Sequence, residues 1–451
     1  MRSETSGNRT QSDAVEAVPL MRGVMASKIS NHPLKSSSKG VTMILRQVLP
    51  ILVVLLLSQS LFAADVYQWR GPNRDGVYHE KNLLKKWPEK GPQLLWKFEG
   101  LGEGHSTVAI VNGRIYTTGM IDSTGYIFAF DLNGSILWKK PYGREWTKNY
   151  PGCRSTPTIV DGRLYLLSSF GKLLCLDTEN GDEHWSLDIF EQFGARQIKW
   201  GITESLLVDG EYVFCTPGGI DANVVALNRL TGETIWTSKG NGEPSAYCSP
   251  ILVRHGTTKL VVTMTAESVL GIDAETGACY WHLPQHQRNK IHANSPVYRD
   301  GYILCSSSSD KTEHSGTALF ELSKDGSQIE RVWRNEEFQN LMGGVIVADG
   351  SIYGSSYRRG GWKCLDWQTG ALRYATEDFG LGALVAADGL FYCYSEKGDL
   401  GLVRANDQSF EVISTFEITE GEGVHWAHPV ISDGRLYVRH GDVLLVYSVQ
   451  Q

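Results

Sequence analysis

Six side chains hold the chemistry worth testing in this chain: Arg154, Glu204, Tyr247, Asn294, Trp426 and His428. The Arg154 guanidinium is a planar fork that can clamp a carboxylate or phosphate with two parallel hydrogen bonds. Glu204 and Asn294 offer the oxygen atoms that a hard cation takes. Trp426, or Trp200, gives a flat face on which a ring or a sugar can stack. With Tyr247 and His428 these groups describe a polar pocket for a small ligand or cofactor. A plainer reading competes with it: the same positions line a wet channel, where Ser, Thr and Asn satisfy backbone groups. No catalytic group and no metal centre is expected. His282/His286 and His425/His428 have ligand-like spacing only on a helix, where such offsets share a face, and Pro284 and Pro429 interrupt both.

The six are found by their place in a repeat. Each lies shortly before one of eight x-Gly pairs: Asn112-Gly113, Asp161-Gly162, Asp209-Gly210, His255-Gly256, Asp300-Gly301, Asp349-Gly350, Asp388-Gly389 and Asp433-Gly434. Asn-Gly and Asp-Gly between apolar runs mark a tight hairpin, because a type I′ turn needs positive φ at both central residues. A second hairpin follows in most copies, running from an apolar-Asp corner through a Gly to an aromatic, as in Leu174 to Trp185. Two hairpins make four strands, and four antiparallel strands repeated every 40–50 residues or so make a propeller blade. The expected fold is all-β, an eight-bladed β-propeller. In blades six and seven the polar positions are replaced by Met342-Gly343-Gly344 and Leu381-Gly382, which leave space rather than supply groups.

The aromatic slot holds Trp138, Trp185, Trp236, Trp281, Trp333 and Tyr374, with Phe416 assigned to the seventh copy. One large ring per blade fills the wedge between neighbouring sheets, so these Trp are structural. The eighth copy stops at Tyr447 without its aromatic strand. That strand stands at the other end, as Gln93-Leu-Leu-Trp-Lys-Phe98, and its pairing with the last blade would close the ring and remove a sheet edge. The propeller is therefore expected over 93–449, with 65–92 leading into it.

Residues 1–42 are polar and carry no hydrophobic period, the composition of a disordered stretch or a gene-model extension. Met43 to Ala64 has a basic start, an apolar run of about ten residues and small residues at its end, the layout of a secretory leader and too short to span a bilayer. Without 1–64, which holds seven Lys/Arg and three Asp/Glu, the net charge moves from −7 to −11. An acidic exported chain is a poor partner for nucleic acid or anionic lipid. The expectations are a monomer in the periplasm or at the cell surface, with no stable membrane insertion after cleavage. The eight Cys fall on recurring strand positions, where small buried residues belong. No two are adjacent and there is no Cys-x-x-Cys-His.

The core Leu174-Cys-Leu-Asp-Thr-Glu-Asn-Gly-Asp-Glu-His-Trp185, and Leu270 to Trp281 likewise, resembles the repeat of the pyrroloquinoline-quinone (PQQ) propeller superfamily. Trp69-Arg-Gly-Pro-Asn-Arg-Asp-Gly76 resembles the segment before the propeller in exported PQQ-like repeat proteins of planctomycete-type bacteria. The superfamily holds quinoprotein dehydrogenases and non-enzymatic scaffolds, among them the lipoprotein of the outer-membrane barrel-assembly machinery. The dehydrogenases hold PQQ under a vicinal disulfide, on a Trp, with Ca2+ beside an Asp base. This chain has no vicinal Cys pair and no Asp matched by motif to that base. The resemblance therefore implies a binding or scaffold propeller whose funnel receives a protein partner or a small molecule. A PQQ-dependent oxidoreductase of an alcohol or sugar, with PQQ and Ca2+, is the alternative.

Overall fold

Hairpin turns set the geometry of every repeat. In the computed structural model, which describes residues 65–309, 313–357 and 360–451, six of the eight x-Gly pairs have positive φ at both residues, from Asn112-Gly113 (52° and 73°) to Asp433-Gly434 (52° and 64°). The right-handed twist of the flanking strands favours this type I′ pattern. The other two pairs are shifted by one residue. Asp209 pairs with Tyr212 and His255 with Thr258, so Gly210 and Gly256 take the first central place and alone have positive φ. A glycine there is the type II′ arrangement. The expected leader and the polar stretch before it lie outside the described residues.

Each turn joins the innermost strand of a blade to the second, and eight antiparallel four-stranded units result. Blade one runs outward through Ala109–Val111, Arg114–Ile121, Thr124–Asp131 and Ile136–Arg144. The middle strands are buried on both faces. Fourth strands alternate, with every second residue exposed, as in Glu183–Asp188. Blade eight takes Val430–Ser432, Arg435–His440 and Val443–Ser448 from the C-terminus, and Gln93–Glu99 pairs antiparallel with the last of these. The ring of eight blades closes as the truncated repeat requires.

Trp96 stands opposite Val446, and its indole N–H donates to the Leu132 carbonyl of blade one at 3.0 Å. The same bond joins each neighbouring pair around much of the ring: Trp138 to Thr178, Trp185 to Arg229, Trp236 to Ala274, Trp281 to Gly326 and Trp333 to Trp367. In blade six the Tyr374 hydroxyl reaches Ser409 instead. A β-bulge precedes every slot, displacing one residue such as Leu95 or Leu137. The bulge twists the outer edge and spoils it as a template for another strand.

Blade seven differs from the sequence expectation. Its bulge falls between Val412 and Ser414, which puts Ser414, not Phe416, in the aromatic slot. The missing ring comes from the segment before the propeller. The Trp87 backbone N–H donates to Ser414 Oγ at 3.0 Å, and its indole packs on Tyr392 and Phe416 at centroid distances of 5.8 and 5.2 Å. Trp87 is 2% exposed, so removing the ring leaves a cavity. Trp87→Ala should cost about 3 kcal/mol, as a repeat Trp would, measured by denaturant unfolding. A loss below about 0.5 kcal/mol, the range of surface changes, would make Trp87 incidental. Deleting 93–98 should abolish cooperative folding, and an unchanged melting temperature would refute the closure.

Candidate functional site

The segment leading into the ring also fills its axis. Val66 bridges Ile110 of blade one, and the Tyr67 carbonyl accepts from Ile159 of blade two. Val77–Tyr78 lies parallel to the innermost strand of blade seven. Arg74 donates to Gln68 Oε1 at 2.9 Å and to the Ser205 and Leu206 carbonyls of blade three at 2.6 and 2.5 Å. Arg70 donates to the carbonyls of Leu384 and Val345, in blades seven and six, and to His428 Nδ1 at 2.9 Å. Both guanidiniums are buried and held near pKa 10 by desolvation. Both backbones adopt positive φ, 61° and 56°, a conformation that costs non-glycine residues about 1–2 kcal/mol and that these bonds offset.

The glycines of blade six follow from this plug. A Cβ on Gly344 would stand 2.0 Å from Arg70 Nη1, so the space expected there is occupied by the guanidinium. Elsewhere the first residues of the innermost strands form a girdle. Thr107 N–H donates to Thr156 Oγ1, Thr156 N–H to Ser205 Oγ and Ser205 N–H to Ser249 Oγ. Each hydroxyl satisfies the backbone of the preceding blade, which is the plainer reading of these positions.

The six candidates do not converge on one pocket. Arg154 spends its guanidinium on the carbonyls of Trp200, Tyr150 and Asn149. Tyr247 neighbours it, with a buried hydroxyl that lacks a well-formed hydrogen bond. Asn294 Nδ2 donates to the Asn340 and Ser306 carbonyls, and its Oδ1 accepts from Gly344 N–H, so the amide is used on both sides. His428 Nδ1 accepts from Arg70, which leaves Nε2–H to donate to the Met342 carbonyl at 2.9 Å. Burial and the Arg70 charge push its pKa down to about 3, and the ring is neutral. Glu204 Oε2 accepts from Thr216 N–H at 2.9 Å while Oε1 has no partner. Burial raises this carboxyl to about 8, against the lowering pull of Arg74. Trp426 is half-buried, tilted against Tyr150 at a centroid distance of 4.5 Å and beside His105 at 5.5 Å.

Beside that aromatic group lies a cleft of about 840 Å3 at the seam of blades eight and one. Two stretches absent from the repeat analysis form much of its wall: Glu99-Gly-Leu-Gly-Glu-Gly104 and Glu420-Gly-Glu-Gly423. Their alternation of Glu with Gly was the available signal.

The quinone cofactor of the alternative reading needs a flat slot, a stacking ring and an oxygen cage for Ca2+. Asn294 and Arg154 are engaged by backbone carbonyls, and Arg70 and Arg74 reach the inner ends of blades six, seven and three. The eight cysteines are free thiols and none is adjacent to another. Among the described residues no three His, Cys, Asp or Glu stand where they could hold a metal. The residues as placed do not fit PQQ with Ca2+.

Fold and site define an eight-bladed propeller of PQQ-like repeats. The chain belongs to the family described as outer membrane protein assembly factor BamB, which matches residues 123–376. It is 29% identical to the BamB of Kangiella koreensis over 140 residues, 30% of this chain and 32% of that protein. It is 26% identical to the quinoprotein ethanol dehydrogenase of Pseudomonas aeruginosa over 159 residues, 33% of this chain and 25% of the enzyme. These matches thus span a third or less of either relative. Among solved structures, BamB of Moraxella catarrhalis superposes with a TM-score of 0.56 at 16% identity, over 79% of this chain and 97% of that one. A europium-containing methanol dehydrogenase gives 0.59 at 12% identity, over 84% and 90%. Likeness at this identity carries the fold alone.

Glu204 generates a pH prediction. Its folded pKa of about 8 lies above the usual carboxylate value of about 4.3. The folded chain therefore holds the proton more tightly, and stability declines as pH rises from about 4.5 through 8. Glu204→Gln removes the titration. Relative to wild type, the variant should gain on the order of 5 kcal/mol across that window, read from urea melts at several pH values. A difference that is flat with pH would mean that Glu204 is ionised in the fold.

Proposed function

We propose that this chain is an exported, non-catalytic propeller that binds a protein partner through its funnel face. The observation that carries the reading is the saturation of the axis. Arg70 and Arg74 occupy it, and the polar residues around it are spent on backbone, so recognition is left to surfaces beside the axis. Membership of the BamB-described family supports a role in contact with other proteins. The leader-like segment 43–64 supports export to the periplasm or cell surface, and no helix among the described residues is long and apolar enough to cross a membrane. A monomer is the expected state.

One observation favours a second reading. The likeness to quinoprotein ethanol dehydrogenase keeps a PQQ-dependent oxidoreductase of an alcohol or sugar open, with the half-buried Trp426 as the ring that would meet a ligand. Isothermal titration of the purified chain with PQQ and Ca2+ separates the two. The binding reading predicts no heat up to tens of micromolar PQQ. Stoichiometric binding in the low micromolar range, together with dye-linked alcohol oxidation, would replace it with the enzyme.

A further inference from the structure

We propose that the cleft between blades eight and one is a docking site for a basic polypeptide segment, which it holds by its Lys and Arg side chains. The proposal deepens the binding reading above and rests on it. Six carboxylates line the cleft: Glu99, Glu103, Asp122, Glu420, Glu422 and Asp442. No Lys or Arg is among the lining residues. At the rim, Lys97 Nζ already sits between Glu99 and Glu420, 2.8 Å from each. One ammonium held between the two walls shows what this geometry accepts. The other four carboxylates form no ion pair among the described residues.

A second observation points to a ligand independently of the acidic cluster. His105 lines the cleft; both of its ring nitrogens are buried and neither makes a well-formed hydrogen bond, with the Tyr150 backbone the one group in reach. A buried polar group left unsatisfied costs about 1–3 kcal/mol. Burial and the charges of Arg439 and Arg154 hold the ring neutral, near pKa 3. A neutral imidazole keeps one lone pair, which an ammonium or guanidinium N–H can meet. Tyr150 adds an aromatic face to the same cleft. It is 53% exposed, braced by Trp426 and fixed at a φ of 58°. Exposed aromatic faces beside carboxylates suit cations.

The walls are rigid. A Cβ on Gly102 would meet the Met120 carbonyl at 2.0 Å, one on Gly421 the His440 carbonyl at 2.2 Å, and one on Gly441 the Glu422 carbonyl at 2.1 Å. Each acidic stretch thus packs its backbone closely on a neighbouring strand, Gly102 on Met120 of blade one and Gly421-Glu422 on His440-Gly441 of blade eight, which lowers the ordering cost of binding. Four unpaired charges across about 840 Å3 call for several cations on one chain rather than one ion or one amine.

The test uses the full chain, with hexalysine as the probe and hexaserine and spermidine as controls, by isothermal titration at low and physiological salt. Hexalysine should bind, weaken with salt, and weaken at least tenfold in the triple variant Glu103→Gln/Glu422→Gln/Asp442→Asn. Glu275→Gln, an exposed carboxylate on blade four, should bind as wild type does. The triple variant should keep the wild-type melting temperature, because only the Asp442 backbone carbonyl, not its side chain, holds Gly100 and Leu101. Equal binding by the triple variant, spermidine as tight as hexalysine, or no hexalysine binding would each overturn the proposal. A photo-crosslinker at Tyr150 in the native envelope separates this failure from that of the wider reading. A crosslink to a basic segment supports the cleft. A partner captured only through other surfaces sinks the cleft and leaves the binding reading standing.

Discussion

The indole N–H that reaches into the next blade is the bond on which this ring depends. A propeller sheet cannot bury its faces alone, so each blade needs a neighbour on both sides, and the last must find the first. Six Trp make the same contact to a carbonyl one blade on. Trp96 makes it across the closure, which converts a chain with two ends into a ring without a weak joint. The β-bulge before each slot serves the same geometry, because it turns the ring inward while leaving the outer edge unfit for pairing.

The axis obeys a different constraint. Eight innermost strands present their first backbone groups to a narrow channel, and those groups must be satisfied. In blades one to four hydroxyls do this from one blade to the next. In blades six and seven the innermost strands open on glycines; Ser355 Oγ donates to the Gly382 carbonyl, and Arg70 brings its fork of donors to the Val345 and Leu384 carbonyls. A buried guanidinium without a carboxylate partner is costly, and only a cage of oriented carbonyls makes it tolerable. The plug is thus a structural part of the propeller rather than an appendage. It also explains why the residues that looked most chemical prove mostly occupied.

Legibility in the sequence followed locality. The eight turns, the four-strand copies and the closure by Trp96 were readable because each is a repeated local pattern or a visible gap in one. Register was not. The shift of the turns at Asp209 and His255, and the place of Ser414 in blade seven, depend on pairing that a glycine or an aromatic alone does not specify. Trp87 was missed because it supplies a repeat position from outside the repeat. The Gly343-Gly344 pair did announce an empty space, but nothing local said that Arg70, hundreds of residues away, would fill it. The backbone partners of Arg154, Asn294 and His428 were not legible, because spacing cannot reveal them.

Hydrogen exchange of the segment 65–78, followed by mass spectrometry on the intact chain, tests most directly whether the plug belongs to the fold. Amides that open only with global unfolding exchange far more slowly than those of a fraying terminus. The account predicts that Val66, Gly76 and Tyr78 exchange as slowly as the blade cores around Ile110 and Ala386. Exchange of the whole segment within seconds, with the blades still protected, would contradict it and return the axis to the list of open sites.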